Sequence, residues 1–178
     1  MSLVGHKQVV AIEWNLDSYY KPYYYGHLCV WINGKPVGSF KEISTISISA
    51  SYLRDFLGYS NSRFYAGSER MSRDELFNLL YWRFICDDNE DIIFEGSDSY
   101  LYMHKFRDVF WLDDIGEYSF RDKIGMVLID EPVLKRQRLI WKEFVSGVLN
   151  EFFMPKKYFD IVAKEFLNEF NNQIAKVK

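Results

Sequence analysis

Along residues 8–17, QVVAIEWNLD, apolar and polar positions alternate. Val10, Ile12, Trp14 and Leu16 fall on one side, and Val9, Ala11, Glu13, Asn15 and Asp17 on the other. A period of two predicts a strand with one buried face. Residues 23–32, YYYGHLCVWI, are β-rich and apolar on both sides, and they run into Asn33-Gly34. Both residues of that pair tolerate positive φ, which makes it a strong hairpin signal, so a return strand is expected at 37–40. Residues 43–50 alternate again, but Ile43, Ile46 and Ile48 fall out of register. That segment reads as a strand or as the start of a helix.

Ser72-x-x-Glu75 has the form of a capping box, in which each side chain satisfies an orphan backbone N–H of a first helical turn. It predicts a helix over 72–85. Leu76, Leu79, Leu80 and Phe84 form its apolar stripe, widened by Phe77, Tyr81 and Trp82. Strands are expected at about 100–106, 109–113, 124–130, 137–144 and 146–153, with Pro132 separating the third from the fourth. Pro155 is read as the start of a last helix over 155–172, where its missing N–H costs nothing. Phe159, Val162, Phe166 and Phe170 line one face of that helix; Lys156, Lys157, Lys164, Glu165 and Glu169 largely cover the other. The pattern predicts an α+β fold: a mainly antiparallel β-sheet with two principal helices packed on it. Trp14, Leu76, Leu80, Phe159 and Phe166 are the expected core.

Composition narrows the picture. A length of 178 residues fits a single domain over 1–178. Apolar residues at 48% and charged residues at 26% are ordinary globular usage, which argues against disorder. Aromatics stand out, with 15 Phe, 13 Tyr and 5 Trp. They suit pleated, half-buried surfaces and also binding faces, and some tyrosines can serve both roles. Cys29 and Cys86 are far apart and form no CxxC, so zinc is not suggested. No charged-then-apolar leader opens the sequence, and Met1, Ser2 and Leu3 are given no structural weight. No apolar run approaches the roughly 18 residues of a membrane span. The expected compartment is the reduced cytoplasm.

Motifs that carry chemistry are missing. There is no GxGxxG, no GxxxxGK[ST] and no GxSxG. His6, His27 and His104 share no HExxH or HxH spacing. Glu13 and Asp17 lie four apart on a strand, about 13 Å, too far for a carboxylate pair and better read as a solvated face. Asp87, Asn89 and Asp91 imitate the start of a calcium loop. Ile92 then stands where the turn needs Gly, and Asp98 where Glu would be bidentate. Neither metal nor cofactor is expected.

Charge is distributed unevenly. Between Phe84 and Phe120 ten acids face two bases, a net of −8 in a chain whose total is −3, leaving +5 elsewhere. Lys135, Arg136 and Arg138 form a small basic cluster in that remainder. An acid excess argues against nucleic acid as a ligand. It is either a solubilising region or a face that steers a basic protein partner. The candidate partner-binding residues are Asp87, Asp88, Glu90, Asp91, Asp113, Asp114 and Glu117.

Four stretches in order complete the reading: VAIEWNLD, then GHLCVWINGKPVG, then RQRLIW, then MPKKYFDIVAKEFLNEF. This order resembles the immunity protein 42 family of bacterial polymorphic toxin systems. The likeness spans most of the chain, but residues 59–123 carry no match. It implies a protein that binds and blocks a cognate toxin domain, with no catalytic residues. Two other readings stay open: a small hydrolase or transferase whose site brings Glu13, His27 and a tyrosine together, and an interaction module with no toxin partner.

Overall fold

The structure is a computed structural model that describes residues 1–82, 106–120 and 122–176. Five strands form the first sheet: β1 (Ser2–Gly5), β2 (Val10–Tyr20), β3 (Tyr23–Ile32), β4 (Lys35–Val37) and β5 (Ser44–Thr45). The order is β1-β2-β3-β4, with β5 also paired to β3, and every pairing is antiparallel. β1 uses residues given no weight from sequence. β3 occupies the predicted span, and Asn33 and Gly34 turn the hairpin with φ of 50° and 77°. The return strand stops at Val37 because Gly38 takes φ 83°.

β2 departs from simple alternation. Its first five residues are all buried, Glu13 included. Farther along, a bulge at Asp17 shifts the register from Leu16↔Gly26 to Ser18↔Tyr25. One extra residue exchanges the faces of everything that follows.

After β5 comes α1 (Ile46–Gly58), a thirteen-residue helix. The isoleucine spacing that suggested a strand is incidental. Ile46, Ala50, Leu53 and Phe56 recur every three or four positions and are buried, whereas Ile43 and Ile48 are exposed. α2 (Arg73–Phe77) begins at the predicted capping box, with Ser72 and Glu75 bonded reciprocally, and continues as a π-helical turn over Asn78–Trp82. The rest of the expected 72–85 helix, and the strand expected at 100–106 up to residue 105, lie outside the described residues.

The strand expected at 109–113 is not formed. Residues 106–110 are helical, Trp111 makes a single bridge to Val127, and Asp113–Ser119 is a 3₁₀ segment. Short apolar runs fit a buried helix as well as a strand, and here burial decides. Val109, Phe110 and Trp111 pack with Leu76, Leu80 and Tyr81, and Trp111 Nε1 donates to the Leu80 carbonyl at 2.6 Å.

The second sheet is the antiparallel meander β6 (Ile124–Glu131), β7 (Arg136–Glu143) and β8 (Leu149–Pro155). Pro155 closes β8 opposite Arg136 instead of opening the last helix. A strand end on a sheet edge tolerates proline because no ladder bond needs its N–H. α3 (Tyr158–Lys176) starts three residues later, after Lys157 at φ 64°.

The second sheet lies between two clusters. Met126, Leu128, Leu139 and Trp141 join the inner face of the first sheet, α1 and α3 in the larger core. Val127, Ile129 and Ile140 pack with α2 and residues 109–111 on the other side. Every residue of β6 is therefore buried. Trp14, Leu76, Leu80, Phe159 and Phe166 are all buried, as the periodicity predicts.

Candidate interaction surface

Three of the acids proposed from sequence lie on the 3₁₀ segment. Asp113 Oδ2 accepts from the Tyr81 hydroxyl at 2.7 Å. Burial is the main cause that pushes the Asp113 carboxyl up to about 6, opposed by that hydrogen bond and assisted by the charge of Asp114. Asp114 is ion-paired with Arg107, and this hydrogen bond is the main reason the guanidinium is held above its ordinary range. Glu117 turns inward: at φ 46° and ψ −119° its carboxylate accepts the backbone N–H of Thr45. Asp113 and Glu117 thus tie the segment to its neighbours, and Asp114 remains half-exposed. Asp87, Asp88, Glu90 and Asp91 lie outside the described residues.

Beside these acids opens a cleft of about 400 Å³, walled by Tyr81, Trp82, Arg107 and Trp111 and edged by Asp113 and Asp114. Tyr52 packs close by and donates its hydroxyl to the Trp111 carbonyl. Burial, and then the charges of Asp113 and Asp114, push that phenol well above its usual range.

The residues of the enzyme reading are engaged separately. Glu13 is 9% exposed, contrary to its reading as part of a solvated face, and accepts from Trp31 Nε1 at 2.7 Å and Lys7 Nζ at 3.0 Å. Lys7 in turn sits 3.8 Å over the Trp31 ring, closing a lid on Glu13 and Cys29. Cys29 is buried, and its thiol is pushed up to about 11, mainly by desolvation. His27 places Nε2 2.9 Å from Asp17 and Nδ1 3.0 Å from the Glu42 carbonyl. Its neighbour across the sheet is Asn15, not Glu13. Among the described residues, no group of three His, Cys, Asp or Glu side chains is placed to hold a metal ion. No helix among them is long and apolar enough to cross a membrane.

The bulge at Asp17 produces a feature that alternation alone does not place. Tyr20 pairs with Tyr23, and Ser18 with Tyr25, on the face of the first sheet that also carries His27. Tyr24 points to the opposite face and packs edge-on to Phe170 in the core. The outer face therefore carries Tyr20, Tyr23, Tyr25 and His27 in succession. The Tyr23 and Tyr25 ring centroids are 6.5 Å apart, and His27 lies 5.6 Å from Phe40. Tyr20 and Tyr23 are 79% and 44% exposed. Tyr23, Tyr25 and His27 share a face by alternation along β3, but that Tyr20 joins them depends on the residue inserted in β2.

Comparison with known proteins bears on what this surface is for. The family model of immunity protein 42 matches residues 1–169. A search of curated proteins finds no match. Among solved structures, the crystal structure of CdiI from Burkholderia dolosa AUO158 superposes with a TM-score of 0.69 at 18% identity. The match covers 94% of this chain and 99% of that one. At that identity the likeness is one of fold.

Proposed function

The chain belongs to the immunity protein 42 family, and from that premise we propose that it holds its cognate toxin domain in a stoichiometric complex, acting by binding and not by catalysis. It is a toxin-neutralising immunity protein; the family match over residues 1–169 carries that conclusion. The separate engagement of Glu13 and His27 supports the binding reading over the enzymatic one. The proposed compartment is the cytoplasm of the cell that makes the toxin or of its siblings.

The proposed contact includes the acidic segment, with Asp87, Asp88, Glu90, Asp91, Asp113, Asp114 and Glu117 facing a basic region of the toxin. Its support is the −8 bias between Phe84 and Phe120. Complementary fields chiefly raise the association rate. Neutralisation at cellular concentrations calls for nanomolar binding, about 12 kcal/mol, which rim charges do not supply. Buried aromatic anchors must contribute most of it.

The test is co-expression with the toxin domain encoded by the neighbouring reading frame. Protected growth and co-purification as a complex of fixed stoichiometry are expected. Unprotected cells and no complex would show that the pairing is wrong.

A further inference from the structure

We propose that the outer face of the first sheet, from Tyr20 and Tyr23 at the β2–β3 hairpin tip to His27 and Phe40, is the anchoring surface for the toxin domain, which meets it with an apolar patch rimmed by carboxylates. The proposal rests on the immunity reading and supplies the anchors that reading requires.

The first argument is exposure. α1 and α3 pack into the core on the inner face of this sheet, and the outer face carries the tyrosine row instead. Tyr20 and Tyr23 project from the hairpin tip. A fully exposed aromatic side chain can bury about 150–250 Å² against a partner; Tyr20 at 79% exposure offers most of that and Tyr23 at 44% a smaller part. A stable interface takes roughly 800 Å² from each side, so the row supplies a centre that its surroundings must complete. Tyrosine also loses little conformational entropy when fixed and offers a hydroxyl at its tip, which explains its frequency among binding hot spots.

The second argument is rigidity. The row stands on an antiparallel ladder in continuous register from Val10↔Ile32 to Tyr20↔Tyr23, interrupted only by the bulge. Asp17, the bulge residue, is fixed by His27 and by the Asn15 amide at 2.8 Å. The anchors are thus held before binding, which lowers its ordering cost.

The third argument is charge, and it sets the partner's chemistry. Carboxylates on and around this face are already engaged from within: Glu13 pairs with Lys7 and Glu42 with Lys123 at 2.7 Å, and Asp17 lies 2.9 Å from His27 Nε2. Lys21 at the hairpin tip and Lys41 beside Phe40 are exposed and have no ion-pair partner among the described residues. Tyrosine rings flanked by free cations fit a surface that offers carboxylates at its rim. The face also adjoins the acidic segment, because Thr45 pairs with Tyr25 and donates to Glu117. One toxin domain can therefore cover both.

The experiment compares wild type, Y20A/Y23A and K21E/K41E for binding to the toxin domain of the neighbouring reading frame, with thermal melts of each. These side chains are exposed, so all three are expected to melt alike. Y20A/Y23A should weaken binding by about 30-fold or more. K21E/K41E should slow association, with the deficit shrinking at high salt. Y20A/Y23A binding within about twofold of wild type would overturn the proposal and leave the immunity reading standing. Wild type that neither binds nor protects would remove the immunity reading, and this proposal with it. A wild-type dimer made monomeric by Y20A/Y23A would assign the face to self-association and overturn the proposal.

Discussion

Arg63, fully buried in the loop after α1, donates its guanidinium to the carboxylate of Asp160 in the first turn of α3, 97 residues away. The same guanidinium lies 4.5 Å over the Phe56 ring, and the Arg63 carbonyl accepts from the Asp130 N–H of β6 at 2.6 Å. Lys157 lies 3.4 Å from both Asp130 and Asp160. One loop residue therefore ties a helix to the second sheet. Removing a single partner strands a buried charge, so Arg63→Ala or Asp160→Ala is expected to cost about 3–5 kcal/mol in chemical denaturation. Replacing both with apolar residues of similar size should restore much of that loss. Single variants within 1 kcal/mol of wild type would show that the pair does not bear on stability.

Phe166 packs edge-on to Trp14, with ring centroids 5.2 Å apart and no exposed surface. Phe166→Ala removes the transfer term and leaves a cavity between α3 and the first sheet. The expected loss is about 3–5 kcal/mol. An unfolding midpoint that barely moves would mean the helix can be repacked without this ring.

Asp113 makes a prediction about pH. Its carboxyl is held up at about 6, above the ordinary 3.8, chiefly by burial. The native state therefore holds a proton that the unfolded state releases between those values. The stabilising contribution is complete below the unfolded pKa and is lost as pH rises through the folded one. Asp113→Asn keeps an oxygen for the Tyr81 hydroxyl but cannot ionise. It should match wild type below about pH 4, gain relative stability between about pH 4 and 6, and keep a constant advantage above that. Parallel stability curves for the two proteins across this range would contradict the assignment.

Charge reversal at Asp87→Lys, Asp88→Lys and Asp114→Lys tests the acidic steering surface. Asp114 is half-exposed, so its reversal is compatible with folding, although its pair with Arg107 is lost. Stopped-flow association with the toxin domain should slow, most of all at low salt. If rate and salt dependence equal those of wild type, the acidic segment is only a solvated surface.

The legible parts of this fold are those where one signal dominates. β3 and its Asn33-Gly34 turn follow from local chemistry, as does the capping box at Ser72. The start of α1 was legible only as an alternative to a strand, because Ile43 and Ile48 imitated an alternation the structure does not use. Trp111 was drawn into a helical corner by Leu80 and Tyr81, contacts that sequence separation hides. Pro155 is acceptable both at a strand end and in a first helical turn, and only the pairing with Arg136 decides. Acid excess between Phe84 and Phe120 was readable, but the inward turn of Glu117 depends on a backbone N–H supplied by Thr45. The tyrosine run was visible as composition and the faces of Tyr23 and Tyr25 follow from alternation, while the outward turn of Tyr20 came from the bulge.

β6 is buried along its whole length and answers to a different set of neighbours on each side. A substitution there has no free direction in which to relax, since close-packed interiors register even one methylene. Variation compatible with folding is thus channelled away from this strand. It can accumulate at the β2–β3 hairpin, where Tyr20, Lys21 and Tyr23 are exposed and can be exchanged without disturbing either core. The molecule separates an inheritance that must be kept from a vocabulary that can be rewritten.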